Sequence, residues 1–136
     1  MSSELTKKLE AGIQFEDDQK SADAISIYES IIAYKFQNED EINEETVKAK
    51  EQASYRLAAI FAQLSLFDEL IDLTKMILPM YLDLPKSKTA KIIRTLFDQC
   101  IKFPGRNRYE ALIDLSKYII EWCDKESRSF LRMKIE

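Results

Sequence analysis

The chain has 136 residues, of which 46% are apolar and 32% charged, and this length suits one continuous core rather than two. Only two glycines and three prolines occur, which favours long helices over a loop-rich β fold. The net charge is −4 but unevenly spread: residues 1–84 hold 8 basic and 17 acidic side chains (−9), and residues 85–136 hold 12 and 7 (+5). An acidic chain of this kind argues against nucleic acid as the main ligand.

Two helices are predicted in the first third of the chain. The first covers about 3–15, although Gly12 costs it about 1 kcal/mol relative to alanine. After a polar turn the second runs over about 20–36. Its apolar residues recur at helical spacing: Ala24, Ile27, Tyr28, Ile31 and Ile32.

The middle of the chain predicts an antiparallel pair of helices. The first runs over about 44–64, with Asn43 as its N-cap. It is predicted to bury Ala53, Leu57, Ile60, Phe61 and Leu64. We expect Ser65 to begin the next helix, with Asp68 completing a capping box, and so tight a turn makes the two helices antiparallel. Pro79 should kink or interrupt the second helix.

A further pair of helices is predicted after Pro85, which is acceptable in a first helical turn. The expected apolar sides are Ile92, Ile93, Leu96, Phe97, Cys100 and Ile101 on the fifth helix, and Leu112, Leu115, Ile119 and Trp122 on the sixth. A Pro-Gly pair separates them, and Asn107 and Glu110 form a candidate capping box. The helical pattern of apolar residues restarts after residues 124–125. Residues 127–136 therefore predict the first helix of another hairpin, whose apolar residues have no second helix to cover them.

One short sequence recurs along the chain. Leu70–Ile77 reads LIDLTKMI, and Leu112–Ile119, 42 positions later, reads LIDLSKYI; Ala24–Ile31 is a fainter third copy. Repeats of about 40 residues are typical of stacked helical hairpins, each of which buries its apolar stripe on its neighbours. Ile71 and Ile113 should then both face the core. The predicted fold class is all-α: a right-handed α-solenoid of tetratricopeptide-like antiparallel hairpins, about seven helices, forming one domain over 1–136.

No pattern typical of catalysis occurs in the chain. Histidine, the usual base near neutral pH, is absent. Phosphate-loop, dinucleotide-binding and nucleophile-elbow motifs are absent too. The acidic run 39–45 lacks the central glycine and terminal glutamate of an EF-hand loop. We predict no enzyme, no metal and no cofactor. No apolar run of about 18 residues occurs, so we expect no membrane partner.

The cysteines and the tryptophan are expected in the core. Cys100 and Cys123 lie one helical turn from apolar residues, and we predict free thiols of a reducing compartment. Trp122 is also predicted to be core, with an exposed anchor for a partner as the alternative.

Lys88, Lys91 and Arg94 recur at steps of three along the fifth predicted helix, with Lys86 just before them. A solvated face is the simpler interpretation. The alternative is a contact strip for an acidic partner, because solenoids present long surfaces of aligned helices. These four residues are our candidate partner-binding residues, and Arg128 and Arg132 form a similar strip.

Three stretches carry a resemblance to a known family. They are Lys50–Gln52, Leu84–Arg94 and Glu121–Arg132, of which the last, with Ser-Arg-Ser-Phe-Leu-Arg, is the most specific. Together they resemble the N-terminal α-solenoid of the sixth non-ATPase subunit of the 26S proteasome regulatory particle lid, a PCI-domain family. The resemblance covers most of the chain from about residue 20 onward.

The resemblance implies a non-catalytic scaffold. In that family a helical arm links the regulatory particle to the core α-ring and touches the ATPase ring, supporting ubiquitin-dependent protein degradation in cytoplasm and nucleus. A C-terminal PCI domain docks on the other lid subunits. The resemblance therefore implies that residues 1–136 are an N-terminal fragment that does not include this PCI domain.

Two alternatives remain open from the sequence. One is a signalosome-type subunit of a related PCI complex, against which the Glu121–Arg132 stretch argues. The other is a tetratricopeptide-like adaptor that binds peptide tails in a concave groove. Such adaptors usually line the groove with a regular set of Asn, Lys and Arg on successive first helices, whereas here Lys88, Lys91 and Arg94 have no equivalent on the helix predicted over 44–64.

Overall fold

The computed structural model describes residues 4–82, 84–102 and 109–135, and side chains up to residue 125. The described elements are six α-helices and one 3-10 helix, with no strand among them. The helices are α1 Glu4–Asp17, α2 Ser21–Ala33, α3 Glu44–Gln63, α4 Phe67–Met80, α5 Lys86–Lys102 and α6 Tyr109–Ile135, and the 3-10 helix is Glu39–Glu41. The all-α prediction is confirmed.

Helices close in sequence pack on one another, as in an α-solenoid. α1, α2 and α3 contact one another, α3 also contacts α4 and α5, and α4 contacts α5 and α6. A single apolar core runs through these contacts, from Leu5 on α1 to Leu115 on α6. In the described part of the chain, no helix has the length and apolar character needed to cross a membrane.

Gly12 allows α1 and α2 to approach closely. A Cβ atom built on Gly12 would lie 2.4 Å from Cε1 of Tyr28, which is closer than side chains tolerate. The tyrosine is fully buried in this position. Gly12 therefore lowers the helix propensity of α1 but allows a close approach to α2 that alanine would obstruct.

The N-terminus of α3 agrees with the prediction and its C-terminus does not. Asn43 caps α3, and its side chain and that of Thr46 exchange 3.0 Å hydrogen bonds with each other's backbone N–H. Ser65, however, does not begin the next helix. It has φ 59°, and its N–H and that of Leu66 donate to carbonyls of the last turn of α3. This is a Schellman ending, which glycine usually supplies, and Leu64 is left 46% exposed rather than buried.

Pro79 lies inside α4, which ends one residue later at Met80, with Tyr81 as its C-cap, close to the position predicted for an interruption. Proline has no N–H to donate to the carbonyl four residues earlier, that of Lys75. The hydroxyl of Tyr118 on α6 donates to this carbonyl instead, at 3.3 Å. The Lys75 ammonium lies 5.7 Å from the centre of the same tyrosine ring. The hydrogen bond that proline removes from α4 is thus replaced by one from α6.

The break predicted at 124–125 is wrong. α6 is continuous from Tyr109 to Ile135, so the separate seventh helix becomes the second half of the sixth. Asp124 and Lys125 are charged but neither is glycine or proline, and a helix tolerates them at small cost. The predicted capping residue Asn107 lies outside the described residues. The same holds for the side chains of Arg128, Arg132 and the apolar residues beyond 125.

The repeated segments are not buried equally. Ile71 on α4 is 6% exposed, as predicted, but Ile113 on α6 is 52% exposed. The reason is that α4 packs on α2, α3, α5 and α6, whereas α6, in the described part of the chain, packs mainly on α4. Ile101, near the end of α5, is 53% exposed and was also wrongly placed in the core.

Candidate protein-interaction surface

A buried carboxylate holds α5 against α3. Glu51 is 5% exposed. Its two oxygens lie 3.3 Å from the ammonium of Lys88 and 3.8 Å from that of Lys91, and the hydroxyl of Tyr55 donates to it at 3.2 Å. Lys88 and Lys91 are therefore engaged by α3, although both remain partly exposed and can still contribute positive charge to the surface.

The other two candidate residues, Lys86 and Arg94, line a groove between α5 and α6. The groove has a volume of about 620 Å³. Its walls include Leu82, Ile93, Phe97, Ile119, Ile120 and Trp122. Both basic side chains are exposed. The structure thus divides the predicted strip into a pair that bridges to α3 and a pair beside an apolar groove.

A buried lysine joins the first helical hairpin (α1 and α2) to the second (α3 and α4). Lys50 is 1% exposed, and its ammonium donates to the carbonyls of Ile31 (2.9 Å), Ile32 (3.0 Å) and Tyr34 (2.6 Å) at the end of α2. Three aromatic rings surround it, with the centre of the Phe36 ring nearest at 5.2 Å. A cation at a helix C-terminus satisfies carbonyls that have no partner within the helix and interacts favourably with the helix dipole.

A second polar link joins the first three helices. Glu16 on α1 accepts hydrogen bonds from the hydroxyl of Tyr28 on α2 and, at 3.0 Å, from the guanidinium of Arg56 on α3. Burial, and then the hydrogen bond to Glu16, raise the pKa of Tyr28 well above its usual value. The tyrosine therefore remains a hydrogen-bond donor to Glu16 at alkaline pH as well as at neutral pH.

The comparisons with known proteins identify the family. The family model of the 26S proteasome regulatory subunit RPN6 N-terminal domain matches residues 5–136. The chain belongs to this family. The predicted resemblance is confirmed, and the family is that of a proteasome subunit rather than a signalosome subunit.

Curated relatives of the RPN6 family agree with this assignment. A 26S proteasome non-ATPase regulatory subunit 11 homolog of Arabidopsis thaliana is 31% identical over 119 residues, covering 88% of this chain and 27% of the relative. The 26S proteasome non-ATPase regulatory subunit 11 of Dictyostelium discoideum is 31% identical over 118 residues (87% and 26%). A probable 26S proteasome regulatory subunit rpn6 of Schizosaccharomyces pombe is 30% identical over 114 (83% and 25%). The chain spans about a quarter of these relatives' length. No solved structure gave a significant match.

The two cysteines of this RPN6-family chain have different surroundings. Cys100 is buried as predicted, with its sulfur 3.8 Å from the Thr74 hydroxyl, and burial raises the pKa of its thiol. Cys123 is exposed, so its assignment to the core was wrong. It lines the groove beside Trp122, which is half-buried and packs against the core. The cause is the separation of α6 from α5 on this side.

Sequence reasoning missed the role of Lys50, although a signal was present. The residues three before, three after and seven after it are Val47, Ala53 and Leu57, all buried. This spacing places the lysine on the apolar face of α3. A lysine there needs buried acceptors, which the pattern alone does not identify. Across the described residues, no group of three or more His, Cys, Asp or Glu side chains is placed to hold a metal ion.

Proposed function

We propose that residues 1–136 form the helical-repeat domain of a non-catalytic scaffold subunit of the 26S proteasome lid. In this proposal the helical arm links the regulatory particle to the core α-ring and supports ubiquitin-dependent protein degradation in cytoplasm and nucleus. The observation that carries it is the match of the RPN6 N-terminal domain over residues 5–136, together with relatives named as 26S regulatory subunits.

Polar contacts between packed helices support a scaffold role. Lys50 ties α2 to α3, Glu51 ties α3 to α5, and Tyr118 ties α6 to α4. An arm that connects two large assemblies must keep its ends at a fixed separation, and such buried polar links specify one arrangement of the helices better than apolar packing alone. A rigid arm of this kind acts by offering surfaces.

The composition and the sites agree with a non-catalytic protein. The chain has no histidine, and the pKa shifts of Tyr28, Tyr81 and Cys100 have burial as their largest cause. Tyr81 makes its hydrogen bonds to Ser54 and to the backbone, so it serves packing. Proposed partners are a core α-ring subunit and the ATPase ring. We assign contact with other lid subunits to the PCI domain of the family rather than to residues 1–136.

The proposal is tested with purified proteolytic core particles. We expect the chain to co-sediment with them and to compete with the regulatory particle. Added to a reconstituted 26S proteasome, it should lower degradation of a ubiquitinated substrate while leaving peptide hydrolysis by the core alone unchanged.

Charge-reversal variants then locate the contact. The pair Lys86→Glu and Arg94→Glu should weaken binding to the core particle at least tenfold. The control pair Lys35→Glu and Lys48→Glu makes the same charge change at exposed lysines elsewhere, and it should leave binding to the core particle unchanged. If the two double variants bind the core particle equally well, the contact does not involve Lys86 and Arg94 on α5. A chain that binds no core particle at all would contradict the scaffold role.

A further inference from the structure

The groove between α5 and α6 has the features of a docking site. Its volume, about 620 Å³, lies within the range of about 300–1,000 Å³ that is common for binding pockets. α6 packs on α4, so apolar side chains of α5 and α6 face the space between these two helices without filling it. Phe97 on α5 and Trp122 on α6 both provide aromatic surface to the groove.

The charged residues that the described structure places in the groove have one sign. They are Lys86 and Arg94, both cations, and no carboxylate is among the described lining residues. This contrasts with a chain whose net charge is −4. The occupant that fits is therefore apolar where it enters the groove and negatively charged at its edge, because opposite potentials across an interface favour specific and rapid association.

The groove is open rather than enclosed. Leu82 and Ile120, which line it, are 59% and 64% exposed. A small apolar molecule would leave these side chains in water, whereas a longer occupant running along the helices would cover them. An exposed apolar surface of this kind, bordered by charge, is typical of protein-interaction sites.

We propose that the groove binds an acidic amphipathic helix of a partner protein. Its apolar side chains, spaced i, i+3 or i+4 and i+7, enter between α5 and α6, as in other complexes in which a helix docks in a groove. Aspartate or glutamate residues flanking this stripe pair with Lys86 and Arg94. The proposal concerns the groove alone and does not depend on which protein carries the helix.

The chain contains its own reporter for this binding. Trp122 is the single tryptophan, and it lies in the groove. The probe is a stapled helical peptide of about 15 residues, because shorter unconstrained helices are marginal in water. It carries leucines at i, i+4 and i+7 and glutamates beside them, and a matched peptide has lysine in place of every glutamate. We expect the acidic peptide to shift the fluorescence emission of Trp122 and to bind at least tenfold more tightly than the lysine-containing peptide.

Variants of the chain test the two parts of the site. Arg94→Glu should weaken binding of the acidic peptide about tenfold, whereas the matched control Lys48→Glu, on α3, should not change it. Ala90→Phe adds bulk to the groove wall from an exposed position on α5, so it should block the peptide without altering the circular dichroism spectrum. Calorimetry measures these affinities independently of fluorescence.

Several results would overturn the proposal. Equal affinity for acidic and basic peptides would remove the charge argument, and equal weakening by Arg94→Glu and Lys48→Glu would remove the assigned contact. Displacement of the peptide by decanoate at equal concentration would indicate a site for small amphipathic acids. Dimers that exclude the peptide would indicate a second copy of this chain as the occupant. None of these readouts involves the core particle, so they are independent of the proposed scaffold function.

Discussion

Replacing Lys50 by methionine should destabilise the chain by about 3 kcal/mol. Methionine keeps the apolar stem but removes the donor to three carbonyls. The Ile31 carbonyl keeps a second donor, the N–H of Tyr34, so in the described structure those of Ile32 and Tyr34 lose their hydrogen bond. A buried unsatisfied group costs about 1–3 kcal/mol, so two give about 2–6 kcal/mol. Relief from burying an ammonium offsets part of this.

Urea unfolding followed by circular dichroism measures the effect. The matched control is Lys48→Met on the same helix, whose side chain is exposed, and its unfolding free energy should stay within about 0.5 kcal/mol of the unmutated chain. Because the loss at Lys50 separates α2 from α3, amide exchange should also rise first in the first two helices. If Lys50→Met unfolds at the same urea concentration as the control, the carbonyls are satisfied in another way and the reasoning fails.

Three further predictions concern packing and accessibility. Gly12→Ala should raise helix propensity yet lower the free energy of unfolding by about 1–3 kcal/mol, because the new Cβ meets a buried tyrosine ring; a more stable variant in urea would contradict the close crossing. Tyr118→Phe alone should lower the free energy of unfolding by about 1 kcal/mol, and by less in a chain that also carries Pro79→Ala, which restores the missing N–H. Equal losses in the two backgrounds of this double-mutant cycle would show no coupling. With an aromatic disulfide reagent at pH 8, Cys123 should react at once and Cys100 only after unfolding, since burial hinders access and raises the pKa of its thiol; rapid reaction of both would contradict that burial.

The repeat in the sequence was a reliable guide to the architecture. The recurring Leu-Ile-Asp-Leu segment predicted stacked helices, and Leu73 and Leu115, which correspond in the two copies, are both buried. Asn43, with its cap on α3, was predictable because capping depends on a few neighbouring residues. The family resemblance could be read from short segments for the same reason: they are local in sequence.

The errors share a different cause. The tight turn at Ser65 was predicted, but Ser65 was wrongly taken as the start of the next helix, because it adopts a left-handed conformation that glycine would usually mark. Ile113 and Cys123 fit the apolar pattern of α6, but the pattern cannot show which faces of a helix will find a neighbour. Of the four basic candidates, the sequence could not separate the pair held by Glu51 from the pair at the groove, because Glu51 lies on another helix.

By itself the sequence determined most of the helices and their approximate spacing, since these depend on local propensity and on a periodic pattern of apolar residues, and it indicated the family through the resemblance of short segments. Only the tertiary structure decided that Lys50 is buried under the end of α2, that Tyr118 compensates for Pro79, and that α6 diverges from α5 to leave a groove. The physical reason is that these features depend on distances between residues far apart in the chain. Burial and hydrogen bonding at such positions are set by which surfaces meet, and a one-dimensional pattern does not contain that information.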